Sequence, residues 1–387
     1  MAVPLISAAI LPGLGLIVPR RVVEAVSVGV ASVVAMMCSL MLIASAREPI
    51  VYWFGGWVPR DRIVPGIGFV VDPLGAGTAT LVSVLVALSL LFSWRYFDAV
   101  KALFHSLMLV FMAGMVGLCL TGDLFNLFVF FEIMSVCGFA LAGYQTEERG
   151  SLVGALNFAI TNTIGAVMVL SGIALLYGRT GALNLALLGR ALGEGPPDGL
   201  VTVAFTLLAG GFLTKAAIVP FHFWLVDAYG TAVTPVCVIF AGVMSELGLF
   251  SLLRVYWTVF EGPLGPYAPE LRAVLVVIGA VTAAVGGIMC LAQHHLSRLV
   301  AFAVVAHTGM FFVGIGLLDP ASLGGAAIYV LTDGMVKAAL FMGVGILFHR
   351  RQSLYDFRLH GRCRDLRNAG AIFALGGLAL AGLPPFG

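Results

Sequence analysis

Residues 210–221 read GGFLTKAAIVPF, which places Lys215 near the end of an apolar run that stops at Pro220. A charged side chain at the bilayer centre costs about 2.5–3.5 kcal/mol on insertion scales, so membrane proteins keep such residues mainly for function. Proline at this depth frees backbone carbonyls, which then need a partner in the protein or in a water-filled cavity. The segment therefore predicts a broken membrane helix with a lysine that handles ions or protons.

The composition of the whole chain is that of an integral membrane protein. Of its 387 residues, 60% are hydrophobic and only 10% are charged, whereas soluble domains carry about 25% charged residues. Apolar windows of about 18 residues or more recur along the sequence, and each could cross the bilayer as a helix. None of them shows the alternation over about 10 residues that marks the strands of a membrane barrel. We therefore predict an all-α polytopic membrane protein.

The apolar windows predict about twelve transmembrane helices, the last of them incomplete. Their spans are 2–18, 22–45, 70–93, 103–121, 123–144, 153–177, 200–225, 232–260, 271–293, 298–318, 322–348 and 369–387. Connections after odd-numbered spans carry more Lys and Arg than those after even-numbered spans, largely because of the basic loop 349–367. Positive charge favours the cytoplasmic side, so the pattern predicts an N-terminus outside the cell and a location in the inner, or plasma, membrane.

A second stretch interrupted by proline has the same local pattern as the first. Residues 376–387 read GGLALAGLPPFG, and aligning the first glycine with Gly211 places Pro385 opposite Pro220. Paired broken helices are typical of inverted-repeat transporters, whose site lies near the membrane midplane. We therefore expect helix breaks at Pro220, Pro384 and Pro385 that are related by an internal repeat.

Six ionisable side chains lie well inside their predicted spans. They are Glu132, Lys215, Glu246, His307, Asp333 and Lys337. An isolated ion in hydrocarbon would give up its charge, so these groups need one another or water. The economical arrangement is a chain of ionisable groups across the protein, which predicts a proton relay. Glu132 is the expected partner of Lys215, and movement or titration of this carboxylate would change the proton occupancy of the lysine.

Each of these residues also has a purely structural interpretation. Glu132 and Lys215 could form a static ion pair, although a buried pair is a poor stabiliser. Asp333 and Lys337 are four residues apart on one helical face, so they could merely neutralise each other. His307 could be a satisfied core histidine, and Glu246 could have a similar role. The sequence alone leaves these alternatives open.

The sequence offers no candidate for a catalytic, metal or cofactor site. Its six cysteines form no CxxC motif and five lie in apolar windows, so we expect neither disulfides nor a metal cluster. There is no glycine-rich phosphate loop and no H-E-x-x-H motif. His294 and His295 are adjacent near a span end, which does not suit facing haem ligands. We expect no cofactor and no nucleic-acid partner, and whether the chain belongs to an oxidoreductase complex stays open.

Several linked motifs resemble one family of membrane proteins. In chain order they are GDLFNLFVFFEIMSVCGFAL at 122–141, FLTKAAIVPFHFWLVDAYGTAVTPVCVIFAGVMSELGLFSLLRV at 212–255, SRLVAFAVVAHTGMFFVGIG at 297–316 and DGMVKAALFMGVGIL at 333–347. From about residue 70 onward, the chain is similar to the antiporter-like subunits of respiratory complex I, membrane-bound hydrogenases and Mrp-type Na⁺/H⁺ antiporters. The sequence of the first motif is most similar to that of the D-type branch of Mrp.

The resemblance implies a fold and roles for several residues. It matches Glu132 to a glutamate on the fifth helix of the family and Lys215 to a lysine on the broken seventh. It also places His307 and Lys337 on a central hydrophilic axis. Two inverted five-helix repeats, helices four to eight and nine to thirteen, are implied as well. The resulting divisions are 1–101 (helices 1–3), 102–262 (first repeat) and 263–387 (second repeat, truncated in helix 12).

Three features depart from the family pattern. Glu246 stands where many members carry lysine, and Asp333 stands where some carry histidine, so the charges along the relay must be arranged differently. The sequence ends at Gly387, before the ionisable residue that the family places on helix 12. We therefore expect either a fragment or a partner that completes the second half-channel.

The favoured interpretation is a proton-translocating, antiporter-like subunit that works with other membrane subunits of one complex. Protons would move through the buried relay, and exchange for Na⁺ is a further option. One alternative is a redox-driven pump module of a hydrogenase or quinone oxidoreductase complex. Another is a membrane scaffold that conducts nothing. The sequence leaves open the ion, the direction of coupling and the identity of the partners.

Overall fold

Packed apolar helices make up the computed structural model, which describes residues 1–57, 66–94, 102–193 and 198–384. In chain order the helices are α1 (Ala2–Leu14), α2 (Arg20–Ser45), α3 (Pro73–Phe92), α4 (Ala102–Leu120), α5 (Leu124–Ala142), α6 (Arg149–Thr180), α7 (Leu185–Gly193), α8 (Gly199–Lys215), α9 (Phe223–Thr231), α10 (Thr234–Ile239), α11 (Glu246–Val255), α12 (Glu261–Leu264), α13 (Ala268–Leu291), α14 (Leu296–Gly316), α15 (Pro320–Arg351), α16 (Asp356–Leu359) and α17 (Arg367–Leu380). The predicted break at Pro385 lies outside the described residues, whereas Pro384 is described.

Eight helical segments of the described chain are long and apolar enough to cross a membrane. They are α2, α3, α4, α5, α6, α14, α15 and the segment Thr234–Leu291, which runs through two of the predicted spans. Two shorter apolar helices, α1 and α8, accompany them. The predicted all-α polytopic membrane fold is confirmed, and the count of about twelve spans stays a prediction.

A small antiparallel hairpin departs from the helical architecture. Its strands are β1 (Ile50–Trp53) and β2 (Gly68–Val71). Strand β2 leads into α3, where Asp72 caps the helix by accepting a hydrogen bond from the Gly75 amide at 2.7 Å. The sequence did not predict this hairpin, because strands of four residues are too short to show a clear alternating pattern.

Packing centres on α4, most of whose residues are buried. This helix contacts α1, α3 and α5, while α6 packs against α8 and α9. Farther along the chain, α14 contacts both α13 and α15. Arg254, near the end of α11, forms an ion pair with Asp72 and so links two helices that are distant in sequence.

A widened helical turn precedes α11. Residues Phe240–Met244 form a π-helix, a conformation that appears mostly as single turns and frequently at functional sites. The next two residues are Ser245 and Glu246, and α11 begins at the second of them. The π-turn therefore lies directly before Ser245 and Glu246.

Helix α8 ends at Lys215 in a left-handed turn. Ala217 has a φ of 55°, and the amides of Ala217 and Ile218 donate to the carbonyls of Thr214 and Leu213 at 3.2 and 3.1 Å. This is the Schellman arrangement, which satisfies carbonyls that a helix end leaves free. The carbonyls of Leu213 and Thr214 at the predicted break are therefore bonded within the protein.

The end of α17 has the same backbone form. This helix ends at Leu380, and Gly382 has a φ of 66°. The amides of Gly382 and Leu383 donate to the carbonyls of Ala379 and Leu378 at 3.0 and 3.1 Å. Each of these residues is the counterpart of one at the first break when the two proline-interrupted stretches are aligned.

Close contact between α6 and α8 gives the first testable prediction. A Cβ atom on Gly211 would lie 2.4 Å from the carbonyl oxygen of Gly165 and from the Val169 side chain. We expect Gly211→Ala to lower the thermal unfolding midpoint in detergent, because overpacking a core typically costs about 1–3 kcal/mol. Circular dichroism at a helical band would measure the midpoint.

The matched control is Gly178→Ala on α6, where a Cβ atom would meet nothing within 4 Å. Alanine favours helix over glycine by about 1 kcal/mol, so this variant should unfold at an unchanged or slightly higher temperature. Equal midpoints for the two variants would contradict the close approach.

Candidate functional site

Lys215 is completely buried and contacts no acid among the described residues. Its Nζ donates a hydrogen bond to Ser135 Oγ on α5 at 3.0 Å. The ammonium also lies 5.0 Å from the centre of the Phe158 ring and 5.4 Å from that of Phe131. Aromatic faces attract cations, so one neutral hydroxyl and two rings surround this charge.

The Phe158 ring is held in place by the chain beyond the helix break. Trp224 on α9 stacks on it with centroids 4.3 Å apart and an interplanar angle of 8°. The Trp224 Nε1 donates a hydrogen bond to the carbonyl of Thr214 at 3.0 Å. Because Thr214 directly precedes Lys215, the chain beyond the break folds back onto the end of α8. It thereby supports the aromatic wall around Lys215, which consists of the Phe131 and Phe158 rings.

Glu132 lies near this lysine but forms no ion pair with it. It stands one helical turn before Ser135 on α5, and its Oε1 is buried with no hydrogen-bond partner in the described chain. The structure thus places the two predicted partners close together, with the Ser135 hydroxyl in contact with the ammonium.

Lys337 on α15 has the opposite environment. Its Nζ donates to Glu246 Oε1 at 2.9 Å and lies 2.5 Å from Asp333 Oδ2, and all three side chains are buried. Ser245 Oγ donates to the other oxygen of Glu246 at 2.9 Å. The Phe311 ring lies 5.1 Å from the ammonium. Two carboxylates therefore compensate one buried lysine.

Asp333 connects Lys337 to His307 on α14. The His307 Nδ1 lies 2.8 Å from Asp333 Oδ1, and Tyr329 OH lies 3.5 Å from the same nitrogen. Asp333 therefore lies at contact distance from both basic residues, Lys337 and His307.

Four of the six predicted residues thus form one continuous cluster, Glu246–Lys337–Asp333–His307. Each member can gain or lose a proton, and neighbours are at contact distance, so a proton could pass from one to the next. Within the residues that the structure covers, no hydrogen bond or ion pair joins Lys215 to this cluster. Lys215 at the end of α8 and Glu246 at the start of α11 nevertheless lie on helices that touch. The backbones approach so closely that a Cβ atom on Gly248 of α11 would lie 2.7 Å from the amide nitrogen of Ala216, the residue after Lys215.

Three hydroxyl side chains complete these contacts, and none of them was predicted from the sequence as part of the site. They are Ser135, Ser245 and Tyr329. Ser135 and Ser245 lie within one helical turn of a selected acid, which was the available signal. Serine in a membrane helix usually bonds to its own backbone, so its presence there did not indicate a role.

A second group of buried ionisable residues was likewise not predicted from the sequence. Glu24 on α2 is 2% exposed and accepts a hydrogen bond from Arg20 Nε at 2.7 Å. His105 on α4 is 3% exposed, and its Nδ1 has no hydrogen-bond partner in the described parts of the chain. Both residues lie near the ends of apolar windows, where the sequence predicts contact with water.

The sequence is related to two kinds of membrane subunit. Residues 121–387 match a family described as NADH:quinone oxidoreductase/Mrp antiporter, transmembrane. The chain is 34% identical over 344 residues to NADH-quinone oxidoreductase subunit N of Desulforudis audaxviator, a match that covers 87% of this chain and 67% of that protein. It is 30% identical over 381 residues to a Staphylococcus saprophyticus protein named antiporter subunit mnhD2, covering 96% of this chain and 74% of that one.

The fold is also similar to a chain in a solved membrane complex. That chain belongs to the structure of the Mrp complex from Dietzia sp. DQ12-45-1b. The two folds superpose with a TM-score of 0.90 at 27% sequence identity, over 99% of this chain and 70% of the other. The fold similarity therefore extends over the N-terminal helices, which precede the region matched by the family.

The balance of charges around Lys337 gives a prediction about stability. Lys337→Leu would leave the buried carboxylates of Glu246 and Asp333 without their shared cation, and breaking a buried ion pair typically costs about 3–5 kcal/mol. We expect a lower thermal midpoint and a lower yield of folded protein in detergent. Glu246→Gln in the same chain should restore part of the loss.

Arg351→Leu is the control, because Arg351 pairs with the largely exposed Asp365 and exposed pairs contribute little. If Lys337→Leu lowered the midpoint no more than this control, the two carboxylates would not depend on Lys337.

Proposed function

Because this chain belongs to the NADH:quinone oxidoreductase/Mrp antiporter transmembrane family, we propose that it is a proton-translocating, antiporter-like subunit of a multisubunit membrane complex. The observation that carries the proposal is the buried cluster Glu246–Lys337–Asp333–His307, with Lys215 on a neighbouring helix. Buried ion pairs are weak stabilisers, so moving charge is the better reason for a membrane protein to hold five such groups.

The proposed pathway begins at Lys215, which takes up a proton. Glu132 determines how firmly the lysine holds it, because the two charges attract through space without touching. The proton then leaves for Glu246 on the neighbouring α11. Water would carry it across this step, since side chains alone do not connect the two residues.

From Glu246 the pathway follows the contacts of the cluster. The order in space is Glu246, Lys337, Asp333 and His307, which supports a path that reaches His307 last. This order makes Asp333 the connecting group, because it lies between the two basic residues.

We also propose the division into residues 1–101, 102–262 and 263–387, with the second and third parts as inverted repeats. The matching turns at the ends of α8 and α17 support this division. At the position equivalent to Lys215, however, the second part carries Leu380. The two halves would therefore share a backbone break but differ in charge at that break.

A second candidate is a pump module driven by a redox enzyme, which the similarity to subunit N of NADH-quinone oxidoreductase favours. In that case the other subunits would supply the electron carriers, whereas in a stand-alone antiporter they would not. Purification of the intact complex distinguishes the two, since flavin or iron–sulfur subunits would accompany only the first. The transported ion would be H⁺ in either case, with Na⁺ or another cation exchanged in the antiporter.

Orientation in the plasma membrane is part of the proposal. Excess Lys and Arg in connections after odd-numbered spans supports an N-terminus outside the cell. The α15–α17 connector, with its basic loop 349–367, would then face the cytoplasm. Other membrane subunits of the complex would contact the lateral faces of the helices.

The central role of Lys215 can be tested in vesicles that contain the intact complex. We expect Lys215→Ala to abolish formation of a pH gradient while the complex still assembles, because alanine cannot carry the proton. Quenching of a pH-sensitive dye in inverted vesicles measures the gradient, and co-purification of the subunits measures assembly.

Arg179→Ala serves as the control, since Arg179 is 55% exposed and pairs with a half-exposed Asp198. It should leave the gradient unchanged. An unchanged gradient in the Lys215→Ala vesicles would overturn the proposed function.

The proposed orientation predicts which side of the membrane exposes Cys363. This cysteine is partly exposed and lies in the α15–α17 connector. A membrane-impermeant maleimide should label it in inverted vesicles but not in intact spheroplasts. The Cys363→Ser variant should lose this label, which identifies the labelled site. Labelling of Cys363 in intact spheroplasts would show that the orientation is the opposite of the proposed one.

A further inference from the structure

Ser135 contacts Lys215 and lies one helical turn from Glu132 on the same helix. Its Oγ accepts a hydrogen bond from Lys215 Nζ at 3.0 Å and donates one to the Phe131 carbonyl at 2.8 Å. The second bond fixes the hydroxyl hydrogen, so an oxygen lone pair is free to face the ammonium. Ser135 is 2% exposed, so little water is present that could take over the hydrogen bond of its hydroxyl.

The charges of Lys215 and Glu132 are incompletely compensated. A lysine ammonium has three donors, and the one hydrogen bond from Lys215 to the described residues goes to this hydroxyl. Glu132 Oε1 is buried with no partner in the same part of the structure. Lys337, in contrast, contacts two carboxylates. An ion pair between Lys215 and Glu132 would therefore stabilise both charges, but the structure shows no such pair.

Lys215 can reach both positions with little movement of the backbone. Glu132 and Ser135 are three residues apart on α5, and such residues are neighbours about 5–6 Å apart on one helical face. A lysine side chain has four flexible carbon atoms and a compact charge. Rotation of the side chain alone could carry the ammonium between the hydroxyl and the carboxylate.

We infer that Ser135 is a docking position for the Lys215 ammonium and that it keeps the Glu132–Lys215 pair open. This inference rests on the function proposed above and adds a regulating group to the same site. Docked on Ser135, Lys215 is free of its acid and can release its proton toward α11. Paired with Glu132, it retains the proton. The hydroxyl thereby regulates how long the relay stays in its conducting form.

A matched pair of substitutions separates the hydroxyl from the shape of the side chain. Ser135→Thr keeps the hydroxyl and Ser135→Val replaces it with a methyl group in the same outline. We expect the valine variant to form the pH gradient about tenfold more slowly than the threonine variant, as loss of a hydrogen bond to a charged group implies. Assembly of the complex should be equal in the two variants.

Infrared difference spectroscopy of the purified complex tests the docking without relying on transport. The Glu132 carboxylate band is assigned as the band that disappears in Glu132→Gln. In Ser135→Val this band should move, because Lys215 then pairs with the carboxylate. In Ser135→Thr it should stay at the position of the unsubstituted protein.

Should Ser135→Val fail to assemble, Ser135→Ala against the unsubstituted protein gives the same comparison. Ser251→Ala is its control, because Ser251 is equally buried and bonds to the Leu247 carbonyl at 2.8 Å. An identical Glu132 band with and without the Ser135 hydroxyl would overturn the inference. An unchanged gradient in Lys215→Ala overturns the proposed function instead, so the two failures are distinguishable.

Discussion

Charge buried among apolar helices must be compensated by nearby protein groups, and the two lysines of this protein meet that requirement differently. Lys337 contacts Glu246 and Asp333, and this contact ties α11 to α15. Lys215 has a hydroxyl and two aromatic rings, with its acid at a distance. The first arrangement holds a cation firmly, and the second leaves it able to move. The proposed relay would use both, since a proton must be held at one point and released at another.

The break after Lys215 depends on three elements that the sequence separates. The Schellman turn bonds the carbonyls that end α8, and it does so with Ala217 rather than glycine in the left-handed region. Beyond the turn, Trp224 stacks on Phe158 and bonds back to the end of α8. The lysine, the turn and the aromatic wall are therefore one unit. A change in the α9 segment would alter the surroundings of Lys215 without touching it.

The sequence was sufficient to predict features that follow from the energetic cost of placing a single residue in the membrane. A lysine and a proline in an apolar run predicted the broken helix, because a charge and an unpaired backbone carbonyl both have a high free energy in a membrane unless they have partners. The same cost identified Glu246, Asp333 and Lys337, which lie in contact. Features that depend on packing were not visible. Ser135 looks like any serine that bonds to its own helix, and the burial of His105 near a span end depends on which helices cover it.

Because α8 stops at Lys215, its ammonium belongs to the last turn of a helix that ends inside the protein. The aligned peptide dipoles of a helix leave about half a negative elementary charge at the C-terminal end. This field is built into the backbone and persists whether the lysine is near Ser135 or near Glu132. A cation would therefore find an attractive electrostatic background at the break even at the moment when the carboxylate is protonated. At the end of α17 the same field acts on a position with no charge of its own.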